Sequence, residues 1–327
     1  MMGTYSARVS KKSQANACVR FRMCSMPAHK PPETGLGVDV GGTRIRIARI
    51  SREGEILSRI IEPVQASRDE FPAQLLRLIE QMRGPEDAAI GVGIPGRVLG
   101  QTGEIVSAGY LDIAGFDLVG LVSRKTGLPV RIENDAMMAL IAELNCRSKF
   151  RDKLVMMVTV GTGVGGAALQ DGRPWYGGGH AGQFGHIVVA DDGPRCNCGR
   201  TGCVETLSSG TALRRLILQT ELPEETRTED LFSLAEKSDA VAQAVLRAWS
   251  QPMQRALETL VSVADPDLIL VGGGLGRDMV QALNTLETRS PWFPVPFEAA
   301  SLGDDAGVIG AGLHALAHKD GRLAETA

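Results

Sequence analysis

His186, Cys196, Cys198 and Cys203 fall within eighteen residues, in the order H-x9-C-x-C-x4-C, with Gly199 and Gly202 inside the loop. One imidazole and three thiols are soft donors, enough to close a tetrahedral zinc site. A full set of four protein ligands leaves no position for an activated water. The predicted zinc is therefore structural, pinning a loop that carries Gln183 and His186 at one end and Glu205 at the other.

Three glycine turns could hold a different kind of ligand. In Asp39-Val40-Gly41-Gly42-Thr43 the backbone N–H groups can point at an anion, Thr43 adds a hydroxyl, and Asp39 can hold Mg²⁺ through water. The same residues also make an ordinary hairpin. Gly161-Thr162-Gly163-Val164-Gly165-Gly166 has the spacing of a dinucleotide fingerprint, but a strand and turn follow it where that fingerprint needs a helix, so a second phosphate hairpin fits better. Gly272-Gly273-Gly274-Leu275-Gly276 stands between a strand and a helix, where bare backbone can meet an adenine or ribose or simply make a packing turn. No GK[ST] phosphate loop is present. Asn134-Asp135 opens a helix, with Asn134 as its N-cap and Asp135 in the first turn. A carboxylate there is stabilised as the anion, so its pKa is expected to fall. Phosphoryl transfer needs little proton abstraction early on, and an oriented carboxylate suffices to accept the hydroxyl proton.

The elements that must position these groups follow from periodicity. Leu36 to Val40, Ile45 to Ile50 and Ile56 to Ile61 read as an antiparallel meander. A helix over 69–83 precedes a buried strand from Ala88 to Ile94, a hairpin around Gly100 to Gly103, a helix from Leu118 to Lys125 and a strand from Pro129 to Glu133. From Leu154 the motif of strand, glycine turn and strand repeats, ending near Leu169. Helices are predicted at 208–219, 228–236, 239–264, 277–288 and 307–318, with strands from Leu268 to Val271 and around Val295. The duplication predicts two related α/β halves around a cleft.

Composition sets the outer bounds. A chain of 327 residues with 43% hydrophobic and 22% charged residues is long enough for two globular domains. A net charge of −3 argues against a nucleic-acid partner, and no apolar run has membrane-helix length. Clustered thiols suggest a reducing, cytoplasmic location. Residues 1–30 carry six Lys or Arg and no acid, while the remainder carries a net of −9, so residues 1–34 read as a basic disordered extension, weakly like a transit peptide.

Taken in order, Asp39-Val40-Gly41-Gly42-Thr43, Glu133-Asn134-Asp135, Gly161-Thr162-Gly163, Gly185-His186, the Cys196 to Cys203 loop, Glu205 and Gly272-Gly273-Gly274 resemble the ROK family of sugar kinases and sugar-sensing repressors over about residues 36–318. The resemblance implies an actin-like, ribonuclease H-like fold. Residues 35–134 plus 304–319 would form a small domain, 135–303 a larger one with the zinc loop, and 320–327 a tail. It implies ATP-dependent phosphorylation of a hexose or N-acylhexosamine hydroxyl, with Asp135 as catalytic carboxylate. Asn134, Asp135, Gln183, His186, Glu205 and Gly96 would meet the sugar. Asp39, Gly41, Gly42, Thr43, Gly161, Thr162, Gly163, Gly273 and Gly274 would hold ATP and Mg²⁺. The last helix would pack back on the first domain, and the protein would be a homodimer. Two departures stand out. Family kinases commonly carry Glu where this chain has Gln183, an amide that could suit an acetamido carbonyl, and Gly109 to Phe116 replaces a segment that supplies an Asn to the sugar. The alternative reading is a ROK-type sugar-sensing regulator or a sugar-binding protein without kinase activity; for the regulator, the 35 residues ahead of the first glycine turn are expected to be too short to form a helix-turn-helix domain.

Overall fold

The computed structural model describes residues 33–287, 292 and 294–321. The basic extension and the tail beyond Gly321 lie outside the described residues. The elements are β1 (Thr34–Val40), β2 (Arg44–Ile50), β3 (Ile56–Pro63), α1 (Glu70–Met82), β4 (Asp87–Ile94), β5 (Arg97–Leu99), β6 (Glu104–Ser107), α2 (Leu118–Thr126), β7 (Val130–Asn134), α3 (Asp135–Asn145), β8 (Leu154–Val160), β9 (Val164–Gln170) and β10 (Arg173–Pro174). They continue with α4 (Val204–Ser208), α5 (Gly210–Leu218), α6 (Thr228–Glu236), α7 (Ala240–Ala264), β11 (Leu268–Gly272), α8 (Gly276–Leu283), β12 (Phe297–Ala299) and α9 (Ala306–Lys319).

Two five-stranded sheets share one plan. The first has the order β3-β2-β1-β4-β7 and the second β10-β9-β8-β11-β12. In each, a three-stranded antiparallel meander joins two further strands in parallel. The duplication expected from the two strand–turn–strand motifs is thus present in the topology, and the architecture is that of the actin-like fold.

Strand β8 shows why both faces of the second sheet are apolar. Met156, Val158 and Val160 point to one core with Trp249, Met253 and Leu257 of α7. Val155 and Met157 point the other way, onto Ala136, Met137, Leu140 and Leu144 of α3. Alternation along the strand feeds two cores at once. The first sheet does the same with α1 and α2 on one face and α9 on the other. Helix α9 comes close because glycine lies beneath it: a Cβ at Gly37 would stand 2.0 Å from the Val308 carbonyl oxygen, and one at Gly91 would stand 1.9 Å from that of Ala311. Any side chain there would push the helix off the sheet.

Differences from the predicted elements have local causes. The helix expected over 208–219 is two helices, because Ser209 turns extended and caps α5 by accepting from Ala212 N–H at 3.1 Å. Helix α8 ends at Leu283, where Asn284 and Thr285 follow and the Thr285 hydroxyl takes the Ala282 carbonyl. The strand expected around Val295 begins at Phe297, leaving Val295 packed against the core beside it.

Candidate active site and metal centre

The first glycine turn closes when Gly41 N–H bonds the Arg44 carbonyl at 2.9 Å. A Cβ built at Gly42, Gly161 or Gly274 would meet nothing within 4 Å among the described residues, and none of the three has positive φ. Neither crowding nor backbone strain calls for glycine there. What the small residue preserves is open space beside backbone amides. At the end of β1, Asp39 is buried and its carboxylate accepts from Arg46 Nη1 at 3.2 Å. Desolvation raises its pKa to about 6 despite the opposing Arg46 charge.

Strand β7 delivers Asn134 and α3 begins with Asp135, beside β4: a Cβ at Gly93 would lie 3.7 Å from Asp135 Cα. Asn134 caps the helix by accepting from Ala136 N–H at 2.9 Å, and its Nδ2 donates to the Gly96 carbonyl at 2.7 Å. Asp135 also accepts from Ala136 N–H, at 2.8 Å. The expected fall in its pKa is corrected by the structure. Asp135 is hemmed in by protein while keeping part of its surface open, and that desolvation, with the charge of Asp39, lifts it to about 7. The helix amides pull the other way and lose.

Tyr110, half exposed, donates from its hydroxyl to the Gly41 carbonyl. Desolvation raises its pKa, and the nearby charges of Asp135 and Asp39 push the same way, so the phenol stays protonated as a donor. The loop around Tyr110 thus brings a hydroxyl to the glycine turn that follows Asp39.

The second and third glycine turns are built together. Gly161 N–H bonds the Gly163 carbonyl, the Gly161 carbonyl accepts from Gly210 N–H at 2.7 Å, and Leu275 N–H donates to the Val160 carbonyl at 2.9 Å. Thr211 Oγ1 donates to the Thr162 carbonyl at 2.8 Å. The β8–β9 connection is the hairpin that excluded the dinucleotide reading. Glu205, in the first turn of α4, accepts from Val164 N–H at 3.0 Å, so one of its oxygens braces this hairpin.

His186, Cys196, Cys198 and Cys203 place one donor atom each within 4.8 Å of one another. Cys196 Sγ is 3.4 Å from His186 Nδ1, and Cys198 Sγ is 3.6 Å from Cys203 Sγ. Ligands around a tetrahedral zinc with bonds of about 2.0–2.3 Å stand roughly 3.3–3.8 Å apart, which these separations match. The set fits zinc. The loop is a ladder, with Val189 N–H bonded to the Gly202 carbonyl and Val204 N–H to that of Ile187, so the cluster fixes where α4 starts and hence where Glu205 stands.

Asn134 and Gln183 line a cavity of about 270 Å³ together with Glu133. Glu133 is 2% exposed, and its Oε1 accepts from Asn134 N–H at 2.8 Å. Burial raises its pKa to about 7. Three acids thus hold protons to about 6 or 7, above the unfolded values of about 4. The folded state then binds more protons than the unfolded one, and its stability falls as pH rises through that window. Buried His314, lowered to about 4, acts in the opposite direction, one group against three. The ligand-free melting temperature should accordingly drop between pH 6 and pH 8 in a calorimetric series. A melting temperature that climbed across that range would contradict these environments.

Compared with known proteins, residues 35–319 match the model of the ROK family. The chain belongs to the ROK family. Among ROK relatives, it is 32% identical over 307 residues to a glucokinase of Halalkalibacterium halodurans, covering 85% of this chain and 93% of that one. It is 31% identical over 294 residues to an N-acetylmannosamine kinase of Escherichia coli, covering 88% and 99%. A ROK glucokinase from Streptomyces griseus, solved in complex with glucose and AMPPNP, superimposes with a TM-score of 0.73 at 27% identity, covering 86% of this chain and 99% of that chain. No helix among the described residues is long and apolar enough to cross a membrane.

Sequence reading singled out Asn134, Asp135 and the glycine turns, and named Glu133 within the Glu133-Asn134-Asp135 motif and the Gly109 to Phe116 segment, but assigned no role to Glu133 or Tyr110. Tyr110 sits in an irregular loop, where no periodicity points to a target. The signal for Glu133 was an acid beside buried Ile132 in a strand, next to the N-cap.

Proposed function

We propose that the protein transfers the γ-phosphoryl group of ATP to a hydroxyl of a hexose or N-acylhexosamine, with the primary 6-hydroxyl as acceptor. The observation that carries this reading is the closeness of two desolvated acids, Asp39 and Asp135, together with glycine turns whose open space no packing requirement explains. Asp135 accepts the hydroxyl proton, and a pKa near 7 suits a group that must take a proton at neutral pH. Gly41, Gly42, Thr43, Gly161, Thr162 and Gly163 cradle the phosphates, with Gly273 and Gly274 toward the nucleoside. Asp39 holds Mg²⁺ through water, and that ion neutralises charge developing on the phosphoryl oxygens.

Asn134, Gln183, His186, Glu205 and the Gly96 carbonyl face the sugar. His186 gives Nδ1 to the cysteine cluster, which leaves its other ring nitrogen for a hydroxyl. The cluster holds structural zinc, since its four ligands leave no open coordination position. Residues 35–134 with 304–319 form one lobe and 135–303 the other, and their closure excludes water. A cytosolic homodimer completes the proposal. Coupled ADP release measured across glucose, allose, mannose, fructose, N-acetylglucosamine and N-acetylmannosamine tests it. Release should depend on both sugar and Mg²⁺; hydrolysis at the same rate without sugar would refute the transfer.

A further inference from the structure

The segment from Trp175 to Gly182 leaves β10 of the second sheet, meets the hairpin β5–β6 that follows β4 of the first, and returns to deliver Gln183 and His186. Both ends of this strap are fixed on its own sheet. Trp175 N–H donates to the Ala168 carbonyl at 2.9 Å, and Gly182 packs on β9, where a Cβ would stand 2.8 Å from the Gly166 carbonyl oxygen. Between them the chain folds as a turn, in which the Tyr176 carbonyl accepts from Gly179 N–H at 2.9 Å and from Ala181 N–H at 3.4 Å. The Tyr176 hydroxyl bonds the Glu133 carboxylate, which ties the start of the strap to β7.

The outer turn of the strap is held by Arg97 of β5, a residue that no motif singled out. Its Nε donates to the Gly179 carbonyl at 3.2 Å, and its Nη2 lies 3.1 Å from His180 Nε2. Arginine has no acceptor, so the imidazole offers its lone pair there. Two consecutive residues of the strap thus meet two donors of one planar guanidinium, a pairing that a lysine ammonium does not reproduce. Gly179 makes the approach possible: its φ is +86°, and a Cβ there would stand 2.9 Å from Leu99 Cδ2 of the hairpin. Arg97, Gly179 and Gln183 line the same 270 Å³ cavity, so releasing the turn moves a wall that Gln183 shares.

We propose that Arg97 is a positioning residue for sugar binding. By holding Gly179 and His180 on the β5–β6 hairpin it fixes the strap, and through the strap it fixes Gln183 at the sugar side of the cleft. The glycine turns that take the triphosphate lie outside this tie, so its loss weakens the hold on the sugar and spares the nucleotide. The proposal rests on the sugar-kinase reading and adds to it a residue from outside the motifs.

Steady-state kinetics with the sugar that the wild type turns over fastest makes the test. Arg97→Ala should raise the sugar KM about tenfold while kcat and the ATP KM stay within about threefold, the pattern of lost sugar binding. Arg97→Lys, which keeps the charge without the fork, should recover part of that loss. The ligand-free melting temperature should move by less than about 2 °C, because the strap keeps Tyr176 and both of its ends. A sugar KM within twofold of the wild type, or one that rises together with the ATP KM, overturns the positioning role while leaving the kinase intact. If no sugar yields ADP, hydrogen exchange of the ligand-free protein decides. The Gly179 and Ala181 amides should then exchange about tenfold faster in Arg97→Ala while β8 and β9 keep wild-type rates. Unchanged exchange at both amides overturns the tie.

Discussion

Asp135→Asn should lower kcat about 10³-fold while changing the sugar dissociation constant by less than about tenfold. Asparagine fills the same space and can still accept from Ala136 N–H, so the start of α3 survives. It cannot take up the hydroxyl proton. A positioned proton acceptor contributes about 10²–10⁴ to rate, and this sets the expected loss. The substitution also removes a charge that burial and Asp39 already disfavour, so ligand-free Asp135→Asn should melt no lower than the wild type at pH 8. Single-turnover kinetics with calorimetry of sugar binding reads both quantities. A variant retaining a tenth of wild-type turnover would assign Asp135 a binding role only.

Loss of metal should cost both activity and stability. Purified protein should contain about one zinc per chain, and Cys198→Ser should lose it. Cys198 is the exposed member of the sulfur trio, so its replacement disturbs packing least. Its effect must then come through the metal. Without the tether, the loop holding Gln183 and His186 and the start of α4 lose their common anchor. Turnover should fall at least about tenfold, and the melting temperature should fall by about 5 °C or more, the shift expected for a loss of a few kcal/mol in a chain this large. Metal analysis beside melting curves makes the check. A zinc-free Cys198→Ser protein with wild-type activity and melting temperature would dismiss the anchoring role.

Much of this was legible in residue order because the signals are local. Asp39 to Thr43 and Gly161 to Gly163 each sit between two apolar runs, and both are antiparallel hairpins. Asn134 capped α3 as its side chain predicts. The four metal ligands lie close in sequence, so their convergence needed only a short loop to fold back on itself. What stayed hidden depends on long-range neighbours. The pKa of Asp135 was misjudged because the helix start is visible in sequence, whereas Asp39 on another strand and the surrounding wall are not. Tyr110 reaches Gly41 from a loop far along the chain, and the burial of Glu133 appears only when Gly100 and Tyr176 are folded beside it. The break between α4 and α5 turned on one serine whose side chain could cap a helix or ride within one.

The most direct measurement is a crystal structure of the wild-type protein with a phosphorylatable sugar, Mg²⁺ and a non-hydrolysable ATP analogue. An Asp135 carboxylate oxygen should lie about 2.6–3.2 Å from the acceptor hydroxyl, with the γ-phosphate between the first two glycine turns, in line with that oxygen. A sugar bound with its hydroxyls turned away from Asp135, or a triphosphate seated elsewhere than at Gly41 to Thr43 and Gly161 to Gly163, would contradict the account.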